Sequence, residues 1–266
     1  MRAAVLGSPI GHSLSPALHR AAYSALGLDW SYDAIEVRPE GLAGFLTGLD
    51  HSWVGLSLTM PLKQTVLPLL DEVTELVTAT GAANTVLLRG ERRWGENTDV
   101  AGIVAALREA GVGSLGRATV VGGGATAASA VAALAQLGAA DLVVLVRDRG
   151  RAGPLLAAAE RLGVHLELAE LTVDALARSA ADVVVSTVPA GALDDLARRL
   201  ALPARPTVLL DVVYAPWPTA LASAYAGAGG IVVGGAEMLL HQAAAQVELM
   251  TGQRAPLAAM RAALPR

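Results

Sequence analysis

The chain has 266 residues, 53% hydrophobic, 17% charged and 3% aromatic, and its 20 Lys and Arg against 24 Asp and Glu leave a formal charge of −4. That balance excludes a disordered chain, and a pI near 5.7 argues against nucleic acid or an anionic membrane as partner. The absence of cysteine removes disulfide frameworks, thiolate nucleophiles and Cys-ligated metal sites together. It is compatible with a reducing compartment, so cytoplasmic localisation is the default. No metal site is expected, because His12, His19, His51, His165 and His241 show no ligand spacing. The first residues, MRAAVLGSPIGHSLSP, carry no evident secretory signal.

In chain order, short β-type runs alternate with helical stretches. Strands are expected over 3–6, 32–37, 53–58 and 85–88, with helices over 16–26, 39–49 and 100–110. A second series has strands over 119–121, 142–146, 183–186, 208–213 and 231–233, with helices over 125–137, 151–162, 194–200 and 238–250. Such alternation argues for parallel sheets with crossover helices, and for more strands than one small sheet needs. Two α/β units follow, with a joint near 97–102 and a second joint at Gly234-Gly235. The uncharged stretch 118–140 is long enough to span a bilayer. It opens on a β-branched run and breaks at Gly122-Gly123-Gly124, so it reads as strand, tight turn and helix, not as a membrane span.

Several strings carry chemistry. In Gly7-Ser8-Pro9-Ile10-Gly11-His12-Ser13-Leu14-Ser15-Pro16, the hydroxyls of Ser13 and Ser15 precede a helix with Pro16 in its first turn, and Ser15 reads as an N-cap whether or not it also binds a ligand. His12 ranks below Lys63 as an acid–base group. Lys63, in Thr59-Met60-Pro61-Leu62-Lys63, is the only lysine in the chain. It follows an apolar strand, at the end where α/β sheets hold ligands, and a desolvated lysine can lose its proton, which arginine cannot. Gly81-Ala82-Ala83-Asn84-Thr85 and Gly95-Glu96-Asn97-Thr98-Asp99 flank one strand-turn-strand segment. Their amide, hydroxyl and carboxylate groups suit a polyhydroxylated ligand, although the same residues populate turns for local reasons.

Val121 leads into Gly122-Gly123-Gly124-Ala125-Thr126, a strand, a glycine turn and a helix start suited to a pyrophosphate. After the next strand comes Arg147-Asp148-Arg149-Gly150-Arg151, where an acidic residue would bond a ribose hydroxyl and arginines a 2′-phosphate. Three arginines around one aspartate favour NADP. Near the C-terminus, Gly234-Gly235-Ala236-Glu237-Met238 precedes a helix carrying Gln242.

In this order, GSPIGHSLSP, SLTMPLK, GAANT, GENTD, GGGATA, RDRGRA, DVVYAPWPT and GGAEMLLHQAAAQ resemble the shikimate dehydrogenase family, over almost the whole chain. The resemblance implies two α/β domains with a cleft between them. Residues 1–99 plus 236–266 would form a substrate domain with a mostly parallel sheet, and 100–235 a Rossmann-like NADP-binding domain. It implies reversible NADPH-dependent reduction of 3-dehydroshikimate to shikimate, towards chorismate and aromatic amino acids, and leaves room for a homodimer. By the same resemblance Lys63 and Asp99 are the catalytic pair, and Ser13, Ser15, Thr59, Asn84, Tyr214 and Gln242 join them in binding substrate. Gly122, Gly123, Gly124, Ala125, Thr126, Arg147, Asp148, Arg151, Val188, Val212 and Gly235 fall at the cofactor.

The chain departs from the family pattern at Ser57, Arg20 and Val146, where the family often has Asn, and at Ala125, where it often has Gly. Ketone reduction needs a hydride at carbon and a proton at oxygen, and one positioned acid contributes roughly 10²–10⁴-fold. Lys63 suits that role, and an adjacent Asp99 would hold its charge and accept a substrate hydroxyl. The rival readings are a quinate or dual quinate/shikimate dehydrogenase, and a catalytically silent NADP-binding regulator on the same fold.

Overall fold

The computed structural model of the chain describes residues 1–179, 181–202 and 207–265. It divides into two compact units, Met1–Gly102 with Leu239–Arg266, and Ile103–Met238.

The first unit runs β1 (Arg2–Gly7), α1 (Ser15–Ala25), β2 (Ser31–Glu36), α2 (Pro39–Thr47), β3 (Trp53–Leu58), α3 (Leu62–Thr65), β4 (Glu72–Val73), α4 (Glu75–Thr80), β5 (Thr85–Arg89), β6 (Arg92–Glu96) and then α5 (Asp99–Glu109), which crosses into the second unit. Its sheet has the order β2-β1-β3-β5-β6-β4. The β2-β1-β3 part is parallel, and β1 is buried along nearly its whole length, as a strand covered on both faces must be. Between β5 and β6 only residues 90 and 91 remain, with Gly90 at φ +64°. A two-residue turn joins antiparallel strands, and β5 pairs antiparallel with both β3 and β6.

The second unit continues with β7 (Arg117–Val121), α6 (Ala125–Gln136), β8 (Asp141–Val146), α7 (Gly153–Arg161), β9 (Leu166–Glu170), α8 (Val173–Ala177), β10 (Val183–Ser186), α9 (Asp194–Arg199), β11 (Val208–Asp211), α10 (Ala220–Gly227) and β12 (Ile231–Gly234). Helix α11 (Gly235–Thr251) carries the chain back to the first unit, which ends in α12 (Leu257–Ala262). All strands of the second sheet are parallel, in the order β12-β11-β10-β7-β8-β9. Counted from β7 this is the doubly wound dinucleotide order, which reverses direction between β7 and β10.

Two apolar layers cover the first sheet. Leu42, Leu46, Leu62 and Val66 pack with Leu56, Leu58 and Val86, and Leu18, Tyr23, Leu240, Val247 and Met260 pack with Val5 and Tyr32. In the second unit Val121, Leu145, Val184 and Leu209 pack against Leu176, Leu193 and Leu221.

The expected strand list lacks β4, β6 and β9, and the helix list lacks α3, α4, α8, α10 and α12. β6 reads Arg-Arg-Trp-Gly-Glu and β4 has two residues, so neither carries a strand-like apolar run. The missing helices span at most eight residues, too short to repeat an apolar face. The expected strand 208–213 stops at Asp211, whose carboxylate accepts from the Val213 amide at 3.2 Å. The uncharged stretch 118–140 is β7, a glycine turn and α6. Among the described residues no helix is long and apolar enough to cross a membrane.

Candidate active site

In the first unit the ends of β1, β3 and β5 come together. Gly7 is required for this approach: a Cβ there would lie 2.4 Å from the Thr59 methyl and 3.0 Å from the Met60 carbonyl. The Leu62 amide donates to the Thr59 carbonyl at 2.8 Å, so the chain turns directly from half-buried Thr59 into α3 and brings Lys63 back over the sheet end. The Lys63 carbonyl accepts from the Ala83 amide at 2.8 Å, which ties α3 to the segment before β5.

Lys63 Nζ donates to Asp99 Oδ2 at 2.5 Å, with side-chain exposures of 14% and 5%. Asp99 opens α5, and its amide donates to Asn97 Oδ1 at 3.1 Å. Its other oxygen, Oδ1, accepts from Asn84 Nδ2 at 2.8 Å. The same nitrogen faces Thr98 Oγ1 at 2.9 Å and Gln242 Oε1 at 3.2 Å. The Thr98 amide donates to Asn84 Oδ1 at 2.8 Å, so the Asn84 amide cannot be turned round without setting donor against donor. Half-buried Lys63 and buried Asp99, Asn84 and Gln242 thus form one cluster built from α3, α5, the start of β5 and α11.

Ser13 and Ser15 lie in the loop between β1 and α1 and at the first residue of α1. The N-cap is Leu14, not Ser15 as expected, and it is Ser13 Oγ that accepts from the Ser15 amide at 3.3 Å. Pro16 does occupy the first turn. His12 is exposed in the same loop. Arg20 pairs with Asp33 at 2.9 Å and donates to the Tyr32 carbonyl at 2.8 Å. Ser57 accepts from the Tyr32 hydroxyl at 2.6 Å and donates to Gln246 Oε1 at 2.7 Å. The sequence reading missed Gln246, although it stands one helical turn after Gln242, on the same face of α11.

In the second unit, residues proposed for a cofactor follow the C-terminal ends of β7, β8, β10, β11 and β12, and the glycine turn stands beside the strand-order reversal. Gly122 has φ +120°, and a Cβ there would lie 2.4 Å from Thr187 Oγ1. Gly235 is equally constrained, its Cβ position being 2.1 Å from the Val212 carbonyl. Gly123 and Gly124 are exposed, Ala125, Thr126, Val188 and Val212 are half-buried, and among the described residues nothing beyond the adjoining backbone lies within 4 Å of a Cβ placed at Gly124. Val146 is buried, its Cγ1 3.2 Å from a Cβ placed at Gly123.

Helix α6 begins with no side-chain cap, no proline and no acidic residue in its first turn. Among the described helices that begin in the second unit, α7 has a proline there, α8 and α10 have threonine caps, and α9 and α11 have acidic residues. The free N–H groups behind exposed glycines fit a pyrophosphate. Arg147 is exposed after β8, and Asp148 Oδ1 accepts from the Gly150 amide at 2.9 Å, capping the short turn 149–151. The Arg151 side chain lies outside the described residues. Tyr214 is half-buried after β11, its phenol pushed up in pKa by burial. Its loop is pinned by buried Asp211, which also accepts from Thr219 Oγ1 at 2.8 Å. Burial raises the Asp211 pKa against the bonds it accepts.

A doubly wound sheet with an open glycine turn, in one chain with a unit that buries an ammonium–carboxylate pair among fixed amides, defines a class of two-unit α/β proteins suited to a dinucleotide and a small polar ligand. Residues 5–86 match the shikimate dehydrogenase substrate binding domain, and residues 235–264 the shikimate 5'-dehydrogenase C-terminal domain. The chain is 37% identical to the NADP(+) shikimate dehydrogenase of Thermosynechococcus vestitus, over 98% of this chain and 93% of that one. The Mycobacterium tuberculosis shikimate dehydrogenase structure superposes with a TM-score of 0.89 at 44% identity, covering 98% of each chain. The Thermus thermophilus shikimate 5-dehydrogenase in complex with NADP(H) and shikimate gives 0.85 at 35% identity, covering 99% of this chain and 98% of that one. The chain belongs to the shikimate dehydrogenase family.

Proposed function

We propose that this protein is an NADP-dependent oxidoreductase of the cytoplasm that interconverts 3-dehydroshikimate and shikimate, on the route to chorismate and aromatic amino acids. The observation that carries the reading is the buried Lys63–Asp99 pair, 2.5 Å apart and fixed by Asn84, in a chain of this family. NADPH, when bound, would supply the hydride for the carbonyl carbon. Lys63 delivers a proton to the oxygen that becomes the new hydroxyl, and takes it back in the reverse direction. Asp99 holds the Lys63 ammonium in place and accepts a hydrogen bond from a neighbouring substrate hydroxyl. Ser13 and Ser15 bind the substrate carboxylate, and Thr59, Asn84, Gln242 and Tyr214 serve its remaining oxygens. The exposed turn Gly123-Gly124 with Ala125 and Thr126 takes the pyrophosphate on the N–H groups of α6, and Arg147 with Arg151 takes the 2′-phosphate.

The test is a grid of initial rates with shikimate and quinate against NADP and NAD, followed by nicotinamide absorbance. Turnover confined to shikimate with NADP is expected. Preference for quinate or NAD would move the assignment to a quinate-type enzyme, and no turnover in any cell would leave a binding protein.

A further inference from the structure

Behind the Lys63–Asp99 pair the side chains form one directed run of hydrogen bonds, and what each atom can do forces the direction. Gln246 on α11 presents a side-chain atom 3.3 Å from the Asn84 backbone carbonyl. A carbonyl only accepts, so that atom is the amide nitrogen, and the opposite atom is the amide oxygen. The same nitrogen donates to Thr85 Oγ1 at 2.9 Å. Thr85, receiving there, gives its one proton to Asn84 Oδ1 at 2.8 Å. Asn84 then donates to Asp99 Oδ1 at 2.8 Å. On the far side, Gln246 Oε1 receives the Ser57 hydroxyl at 2.7 Å, and Ser57 receives the Tyr32 phenol at 2.6 Å.

The Gln246 oxygen also lies 3.2 Å from His19 Nε2. An acceptor there requires the His19 proton on Nε2, and burial keeps the ring neutral down to a pKa of about 3. Ser57, Asn84, Thr85 and Gln246 are at most 4% exposed, so no solvent stands ready to replace a lost partner.

We propose that Gln246 and Thr85 are positioning residues for the Lys63–Asp99 pair, acting through Asn84, whose backbone and amide they hold so that its N–H meets the Asp99 carboxylate. The inference rests on the function proposed above, since its readout is turnover by that pair. Steady-state shikimate oxidation with NADP+ is compared for wild type, Thr85→Val, Thr85→Ser, Gln246→Met and the double variant Thr85→Val/Gln246→Met, with rates expressed per folded protein from urea titrations.

Thr85→Val and Gln246→Met should each lower kcat by about tenfold while the shikimate KM moves less than about threefold, because the loss falls on the reacting pair. Thr85→Ser keeps the hydroxyl and should restore kcat. The double variant should lose little more than the worse single one, since members of one run are not additive. Unchanged kcat in folded variants, additive losses, or a Thr85→Ser variant as slow as Thr85→Val overturns the proposal. Should Thr85→Val fail to fold, Gln246→Met alone decides by the same split between kcat and KM. Wild type inactive on shikimate overturns the function and the positioning role together, whereas active wild type with unaltered variants overturns the positioning role alone.

Discussion

Replacing Asp99 by Asn tests whether the carboxylate orders the site or merely neutralises a charge. Its two oxygens are engaged separately, Oδ2 by Lys63 at 2.5 Å and Oδ1 by Asn84 at 2.8 Å. Both partners are donors, and an amide has one oxygen. In Asp99→Asn, one placement sets NH2 against the ammonium and the other sets it against the Asn84 amide, which the Thr98 amide prevents from turning. One charge-assisted hydrogen bond is therefore lost whichever way the new side chain sits, worth about 1.5–3 kcal/mol. At about 1.4 kcal/mol per tenfold, loss of that bond, made either to the ammonium itself or to the Asn84 amide that fixes its partner, lowers kcat by roughly 10–10². Breaking a buried pair costs about 3–5 kcal/mol of stability, and the 14% exposure of Lys63 puts this case near the lower figure, about 3 kcal/mol. Shikimate oxidation measured with urea unfolding checks both numbers. A variant with kcat within about threefold of wild type, at any stability, would refute the claim that Asp99 acts by holding Lys63.

Lys63→Ala removes the proposed proton donor and should lower kcat by roughly 10²–10⁴ while the shikimate KM stays within a few-fold; retained kcat takes Lys63 out of the chemistry. Arg147→Ala with Arg151→Ala should raise the NADP+ KM by about tenfold or more and leave that for NAD+ almost unchanged, so equal losses for both cofactors would mean that the arginines support the fold. His19 is buried neutral, its pKa lowered from 6.5 to about 3 by desolvation against an opposing bond from Gln246. The unfolded chain binds a proton near pH 6.5 that the folded chain refuses until about pH 3. The stability owed to His19 is therefore whole above that window and is lost as pH falls through it. Between about pH 7 and pH 4.5, His19→Gln should lose about 2–3 kcal/mol less stability than wild type in urea titrations, and equal losses would show that His19 titrates in the folded chain.

Five of the six strands of the second sheet were legible because each is a short aliphatic run followed by a turn signal, whereas β9, Leu-Glu-Leu-Ala-Glu, alternates with glutamates and carries no such run. The first sheet was harder. The pairing of β5 with β6 depends on a polar strand, Arg-Arg-Trp-Gly-Glu, so periodicity had little to report. Lys63 could be singled out as the only lysine, just after an apolar strand, and Asn84 and Asp99 as polar groups in two turn-like strings, yet their contact could not be read: Lys63 and Asp99 are 36 residues apart, and only the meeting of α3, β5 and α5 brings the three together. Gln246 was invisible for a related reason. A glutamine on an alanine-rich helix resembles surface decoration until the packing of α11 on the sheet shows it buried at 1% exposure. Ser15 misled as an N-cap because the hydroxyl two residues earlier takes its amide instead.

The two units treat their polar groups in opposite ways, and the proposed ligands explain the contrast. In the first unit both oxygens of Asp99 and both ends of the Asn84 amide already have partners. A hydroxylated substrate must take its place among groups that already partner one another, so each hydroxyl it brings has to exchange with a hydrogen bond the cluster already makes. In the second unit no side chain caps the first turn of α6, so an anion adds bonds there without displacing any. Binding of that kind is made by backbone and does not distinguish one dinucleotide from another. Discrimination has to come from the next turn, after β8, where Asp148 spends an oxygen on the Gly150 amide and Arg147 stands exposed. An aspartate committed to capping its own turn competes poorly for a ribose hydroxyl, whereas a guanidinium with open solvent before it is available to a phosphate. The balance at this turn therefore favours the phosphorylated cofactor even with Val146 in place of an amide.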